Sequence, residues 1–254
     1  MLSSCGQGGA KNADQSGRAA PLGSPEYAYR SPPVVLTIAP LPGDRVVLDG
    51  HADAGSRVRL GEPGGAALFT RADGAGRWRL KLPPASGLRL IGLSMTSGAR
   101  TVQSEGYLAV TPQGQVAQLR SGASARVLGA APVAPRADAL DYDRRGGAML
   151  SGKGPPNAHF DLMIDGAAPL HLTIDPRGRF SVALDEPLAL GDHRIEINFD
   201  GRLRLVTVPI SRAPPLAGPP FRATRTPLGW RIDWLTPGGG LQTTQLIDPA
   251  GGAQ

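Results

Sequence analysis

Four histidines, His51, His159, His171 and His193, are the side chains best suited to metal binding or proton transfer in this chain. A metal centre needs three or four converging donors, and no two of these histidines stand at the spacing of a local chelate. Strand alternation places His159 and His171 on an outer face with Asp161. That leaves two readings, a surface His–Asp cluster or ordinary solvated side chains. Calcium is the next candidate chemistry. Carboxylates occur in "LDYDRR" (140–145) and at Asp161 and Asp165, but the adjacent arginines and the lack of a dense Asp/Asn run count against a calcium loop. No G-x-S-x-G elbow is present, and "GGAALF" and "TPGGGLQ" lack the lysine and strand-to-helix context of a phosphate loop. The single cysteine, Cys5, can form no intrachain disulfide. The expectation is a non-enzyme without metal or cofactor.

The remaining chemistry is cationic. The 254 residues carry a formal charge of +6, almost all of the positive side chains being arginine; lysine occurs only at Lys11, Lys81 and Lys153. Arg77, Arg79 and Lys81 alternate with Trp78, Leu80 and Leu82, and Arg57 and Arg59 alternate with Val58 and Leu60. With the apolar residues inward, the cations face outward. If these strands share a sheet, the five cations form one patch, joined by Phe69 and Arg71 on the intervening strand. Such a patch engages carboxylates or phosphates; a plain solvated basic face is the other reading. No nucleic-acid-binding motif accompanies the charge, so nucleic acid is not an expected partner. Near the C-terminus Trp230, Ile232 and Trp234 share one strand face. Trp230 and Trp234 either pack on the rest of the chain or form a surface for a partner.

The elements that position these residues read as β-strands. Hydrophobic residues make up 41% of the chain, enough for a packed core, and the 35 glycines and 25 prolines sit mainly between short alternating runs. An offset of 102 residues aligns 48–82 with 150–184 without a gap. Leu48, Gly50, Leu60, Asp73, Gly76, Arg77 and Leu82 all meet identical residues, and Trp78 meets Phe180. Preservation of the apolar side of each strand indicates a duplicated unit. Within it, Asp73-Gly74-Ala75-Gly76 and Asp175-Pro176-Arg177-Gly178 have the composition of type I turns, each launching an inward aromatic. No apolar run is long enough to cross a membrane as a helix.

The stretch "VVLDGHADAGSRVRLGEPGGAALFTRADGAGRWRLKLP" is similar to the Ig-like modules of bacterial envelope proteins, including those that accompany LysM domains in alphaproteobacteria. The residues that carry the resemblance are Gly50, Ala52, Gly55, Val58 and Leu60, then Ala72, Asp73, Gly76 and Trp78. The resemblance implies an immunoglobulin-like sandwich used as a spacer or adhesive module, without catalytic residues; no LysM motif occurs in these 254 residues. The expected architecture is all-β, with two tandem Ig-like β-sandwich modules and a C-terminal β-hairpin or three-stranded extension. Its expected bounds are a leader or tether over 1–33, the modules over 34–112 and 138–212, a linker or leading strands over 113–137, and a proline-rich connection with the hairpin over 213–254. "LSSC" (2–5) resembles a lipoprotein lipobox, which implies lipidation of Cys5 and a periplasmic or outer-envelope location; a genuine start at Met1 without a signal implies the cytoplasm instead. The leading functional expectation is scaffolding, adhesion or wall association, with an anionic envelope polymer or an envelope protein complex as partner. Contact with a membrane is expected only through the lipid anchor. The alternative is an accessory factor that docks to a secretion or surface-structure complex through the C-terminal hairpin.

Overall fold

The computed structural model describes residues 29–43, 45–218 and 220–249, which hold twenty strands and no helix. All neighbouring strands pair antiparallel. Strands β1 (Val34–Leu41), β2 (Arg45–His51) and β5 (Arg77–Leu82) form a first sheet in the order β1-β2-β5. The second sheet contains β3 (Arg57–Gly61), β4 (Ala67–Arg71), β6 (Arg89–Ser97), β7 (Arg100–Gln103), β8 (Tyr107–Val110), β9 (Val116–Leu119) and β10 (Arg126–Val127). Its order is β10-β9-β8-β6-β3-β4, with β7 also paired to β6. The third sheet is ordered β15-β12-β11-β20-β19-β18. Its strands are β11 (Arg136–Asp143), β12 (Ala148–Lys153), β15 (Arg179–Ala183), β18 (Phe221–Thr226), β19 (Gly229–Leu235) and β20 (Leu241–Leu246). The fourth, ordered β14-β13-β16-β17, contains β13 (His159–Ile164), β14 (Leu170–Thr173), β16 (Gly191–Phe199) and β17 (Arg202–Ile210).

The same 102-residue offset relates the strands. β1-β2-β5 corresponds to β11-β12-β15, and β4-β3-β6-β7 to β14-β13-β16-β17. Even the irregularity in pairing between Val35 and Thr37 of β1 recurs between Ala137 and Ala139 of β11. Under each inward aromatic lies a glycine. A Cβ at Gly50 would collide with Val34 O and the Trp78 ring, and one at Gly152 with Arg136 O and the Phe180 ring. Overpacking of this kind typically costs about 1–3 kcal/mol. Gly50→Ala is therefore expected to lower the urea midpoint by that equivalent, whereas Gly74→Ala, which meets nothing within 4 Å, leaves it unchanged.

Both turns form as their composition predicts. Gly76 N–H donates to Asp73 O at 2.9 Å and Gly178 N–H to Asp175 O at 2.8 Å, with both glycines at positive φ. Asp73 Oδ1 accepts from the Ala75 and Arg77 amides, and Asp175 Oδ1 from those of Arg177 and Arg179. The turn joins β4 to β5, however, and these strands belong to opposite sheets. It is a corner between layers.

Apolar side chains fill three cores. Leu48, Trp78, Leu80 and Leu82 of the first sheet pack against Val58, Leu60, Leu93, Met95 and Val110 of the second. Leu140, Leu150 and Phe180 of the third pack against Phe160, Leu162, Ile195 and Ile197 of the fourth. The third core lies between the second and third sheets: Leu90, Ala109, Ala117, Leu119 and Val127 meet Ala139, Ile232, Trp234 and Leu246. The two sandwiches thus share a buried seam. Residues 116–119 and 126–127, within the stretch read as linker or leading strands, belong to the second sheet as β9 and β10.

Candidate functional site

The corner at Asp73 decides the fate of the predicted basic patch. Arg57, Arg59, Phe69 and Arg71 lie on β3 and β4 of the second sheet, and Arg77, Arg79 and Lys81 on β5 of the first. All seven are exposed, but on the two opposite outer faces of one sandwich. The single patch expected from strand parity is corrected to two surfaces, because parity separates inside from outside without saying which sheet a strand joins. On β5 the cations are largely neutralised. Arg79 donates to both carboxylate oxygens of Asp49, at 2.6 and 3.1 Å, and these bonds hold Asp49 below the usual carboxylate range. Arg77 Nε reaches Asp73 Oδ2 at 3.1 Å. On β3–β4, Arg57 stands directly opposite Arg71 and Arg59 opposite Phe69. The Arg57 guanidinium lies 3.9 Å over the Phe69 ring. Arg71 donates to Gly55 O, and neither Arg57 nor Arg59 has a carboxylate partner among the described residues.

The C-terminal tryptophans are spent within the chain. Trp234 is fully buried in the third core, edge-on to Tyr107 with ring centres 5.9 Å apart, and its indole N–H donates to Thr244 Oγ1. Trp230 is partly buried against the same core, with Arg225 over its ring. The partner-docking reading of Trp234 is corrected: the apolar face of β19 is covered by the second sheet.

A site that strand parity did not reveal lies at the seam. The segment 124–128 docks on the outer face of β12 and β15. Ser124 and Ser181 hydroxyls pair at 2.7 Å, Ser151 Oγ donates to Ala125 O at 2.7 Å, and Lys153 Nζ donates to Leu128 O at 3.3 Å. This face is the counterpart of the one bearing Arg77, Arg79 and Lys81, with Ser181 and Ala183 where the first sandwich has Arg79 and Lys81. The docked segment covers Ser151 and Lys153 of β12, which are buried, whereas Ser181 and Ala183 of β15 stay exposed. Beneath it, Asp141 is buried and accepts from Ala125 N–H at 2.6 Å, Thr244 O–H at 2.5 Å and Gln242 N–H at 3.3 Å. Burial outweighs these bonds and pushes its carboxyl up to about 6. Beside the docked segment opens a cleft of about 400 Å³ whose lining includes Arg120, Arg126, Lys153 and Arg179, with Asp138 and Asp175. Burial raises the Asp138 carboxyl and lowers the Lys153 ammonium, whose Nζ stands 3.6 Å from Asp138 Oδ2.

No protein-family model matches this sequence, and no curated protein does. Among solved structures, a chain described as "Biofilm associated protein - BSP domain" is similar over 66% of this chain and 28% of its own length, with 14% identity and a TM-score of 0.25.

The remaining candidates from the sequence resolve individually. Asp161 and His171 are cross-strand neighbours, with Nδ1 and Oδ1 2.7 Å apart, while His159 pairs with Thr173 at 2.9 Å. Among the described residues no group of three or more His, Cys, Asp or Glu could hold a metal ion. Of the "LDYDRR" carboxylates, Asp141 is internal, and Asp143 Oδ1 caps its own turn through the Arg145 and Gly147 amides. Asp165 accepts from the Arg194 amide at 2.7 Å and contacts His193 Nδ1 at 2.6 Å. Cys5 and most of the 1–33 leader lie outside the described residues.

Proposed function

We propose that this is a non-catalytic cell-envelope protein in which two Ig-like modules, copies of one ancestral unit, form a rigid spacer that adheres to an anionic envelope polymer. The observation that carries this reading is the ridge on β3–β4. Like charges directly opposite on a sheet destabilise it, yet Arg57 and Arg71 face each other with no acidic partner among the described residues, flanking an exposed aromatic. Guanidinium groups suit carboxylate and phosphate oxygens, and the part of the Phe69 ring that the Arg57 guanidinium leaves exposed adds apolar contact. The second sandwich has His159, Asp161, His171 and Thr173 at the equivalent positions, so adhesion is assigned to the first.

The test is retention on immobilised polygalacturonate at low ionic strength. Replacing Arg57, Arg59 and Arg71 together by serine is expected to weaken retention at least tenfold. Replacing Arg77, Arg79 and Lys81 leaves it within twofold, because Arg77 and Arg79 are already paired. Equal losses in both variants would indicate diffuse net charge rather than a ridge, and no loss in the first would remove the ridge from function. Retention in the wild type weakens as salt screens the exposed charges.

A further inference from the structure

Arg126 is poorly accounted for as a structural residue. It is partly buried, and its side chain makes no hydrogen bond or ion pair among the described residues. Burial, followed by the charges of Arg179, Arg120 and Arg177, holds its pKa below the ordinary arginine range, with Glu105 opposing. A guanidinium in that position costs free energy unless an anion compensates it. The carboxylates that line the cleft are committed elsewhere. Asp175 takes the Arg179 side chain and two backbone amides, and Asp138 takes Arg136 at 2.9 Å with Lys153 behind it. Arg120 spends its Nε on Ser124 O at 3.1 Å, and its terminal nitrogens have no partner among the described residues.

We infer that the junction cleft binds a small ligand bearing a phosphate or carboxylate group, clamped by Arg126 with Arg120 and Arg179 beside it. Its volume of about 400 Å³ lies within the range of small-molecule sites, about 300–1,000 Å³. Planar guanidinium forks match the two-oxygen edge of either anion. The cleft is walled by β10 of the second sheet and by β12 and β15 of the third, so a bound anion bridges the two sandwiches and stabilises their seam. This site uses none of the ridge residues, and either assignment can fail without the other.

The test is the thermal midpoint of the full chain, titrated at constant ionic strength with inorganic phosphate or with glucuronate, against sodium chloride. A saturable rise is expected with one of them, and which one responds identifies the anion. Arg126→Gln is expected to weaken that response at least tenfold. Without added anion the variant is at least as stable as the wild type, since it loses an unpaired charge. The Arg57/Arg59/Arg71 serine variant responds like the wild type. The proposal is overturned if neither anion gives a saturable rise at millimolar concentration, or if Arg126→Gln responds normally. A variant that unfolds without ligand would also overturn it, by making Arg126 a structural residue.

Discussion

The Trp234→Ala variant is expected to lose about 3–5 kcal/mol of stability, the usual cost of truncating a fully buried large aromatic. Trp234 is inaccessible to solvent and sits where the second and third sheets meet, among Leu90, Ala117, Leu119, Ile232 and Leu246. Its removal opens a cavity at the seam, loses the edge-on contact with Tyr107, and takes the indole donor from Thr244. The seam is also what makes the two sandwiches unfold together. In the wild type, tryptophan fluorescence, to which Trp78 in the first core and Trp230 and Trp234 at the seam contribute, and far-ultraviolet circular dichroism are expected to give coincident urea transitions. In Trp234→Ala they separate, because neither sandwich loses its own core when the seam opens. A loss below 1 kcal/mol, or transitions that already differ in the wild type, would contradict a structural seam.

The second large effect concerns pH. Asp141 titrates near 6 in the folded chain, against an ordinary 3.8. Its folded value is raised, so the unfolded chain gives up the proton first as pH rises. Its contribution to stability is therefore full below about pH 4 and falls through pH 6, by about 3 kcal/mol in all. Asp49, Asp73, Asp165 and Asp175 act in the opposite sense. Their carboxyls are held low, so their contribution is present above the ordinary carboxylate range and lost on acidification. The contribution of Asp141 is isolated by Asp141→Asn. An amide retains an acceptor for Thr244 and Gln242 but turns a donor toward the Ala125 amide, a mismatch of about 1–3 kcal/mol. At pH 4.5 the variant is expected to be less stable than the wild type. By pH 8 the gap closes or reverses, since only the wild type then carries a buried charge. Urea midpoints that run parallel from pH 4.5 to pH 8 would contradict this.

Much of the fold was legible because strand alternation reports burial directly. Trp78, Leu80 and Leu82 are buried and Arg77, Arg79 and Lys81 exposed, as their spacing demands. The 102-residue offset seen in the sequence recurs in the strand bounds and pairings. What alternation lacks is the identity of the sheet, and so the cations of β3 and β5, separated by one corner at Asp73, fell on opposite faces. Trp234 illustrates a second limit. Its strand has an apolar face, but nothing local says whether a partner or the chain's own β8–β10 covers it. Tyr107–Val110 and Val116–Leu119 held the missing signal, since their near-continuous apolar character marks strands buried on both faces. Arg120 and Arg126 carried no signal in the sequence, and Asp141 stood there only among candidate calcium carboxylates, because their meeting depends on residues 124–128 docking across the seam, a non-local contact with no periodic trace. The loss of Arg79 and Lys81 in the second copy, to Ser181 and Ala183, was visible in the sequence. The docking of residues 124–128 beside Ser181 was not.

Adhesion by one face of the first sandwich is tested most directly by amide hydrogen exchange with and without polygalacturonate. Exchange is expected to slow at Arg57–Gly61 and Ala67–Arg71 when the polymer is present, while Arg77–Leu82 on the opposite face is unchanged. Slowing at Arg77–Leu82 instead, or at none of these strands, would contradict it.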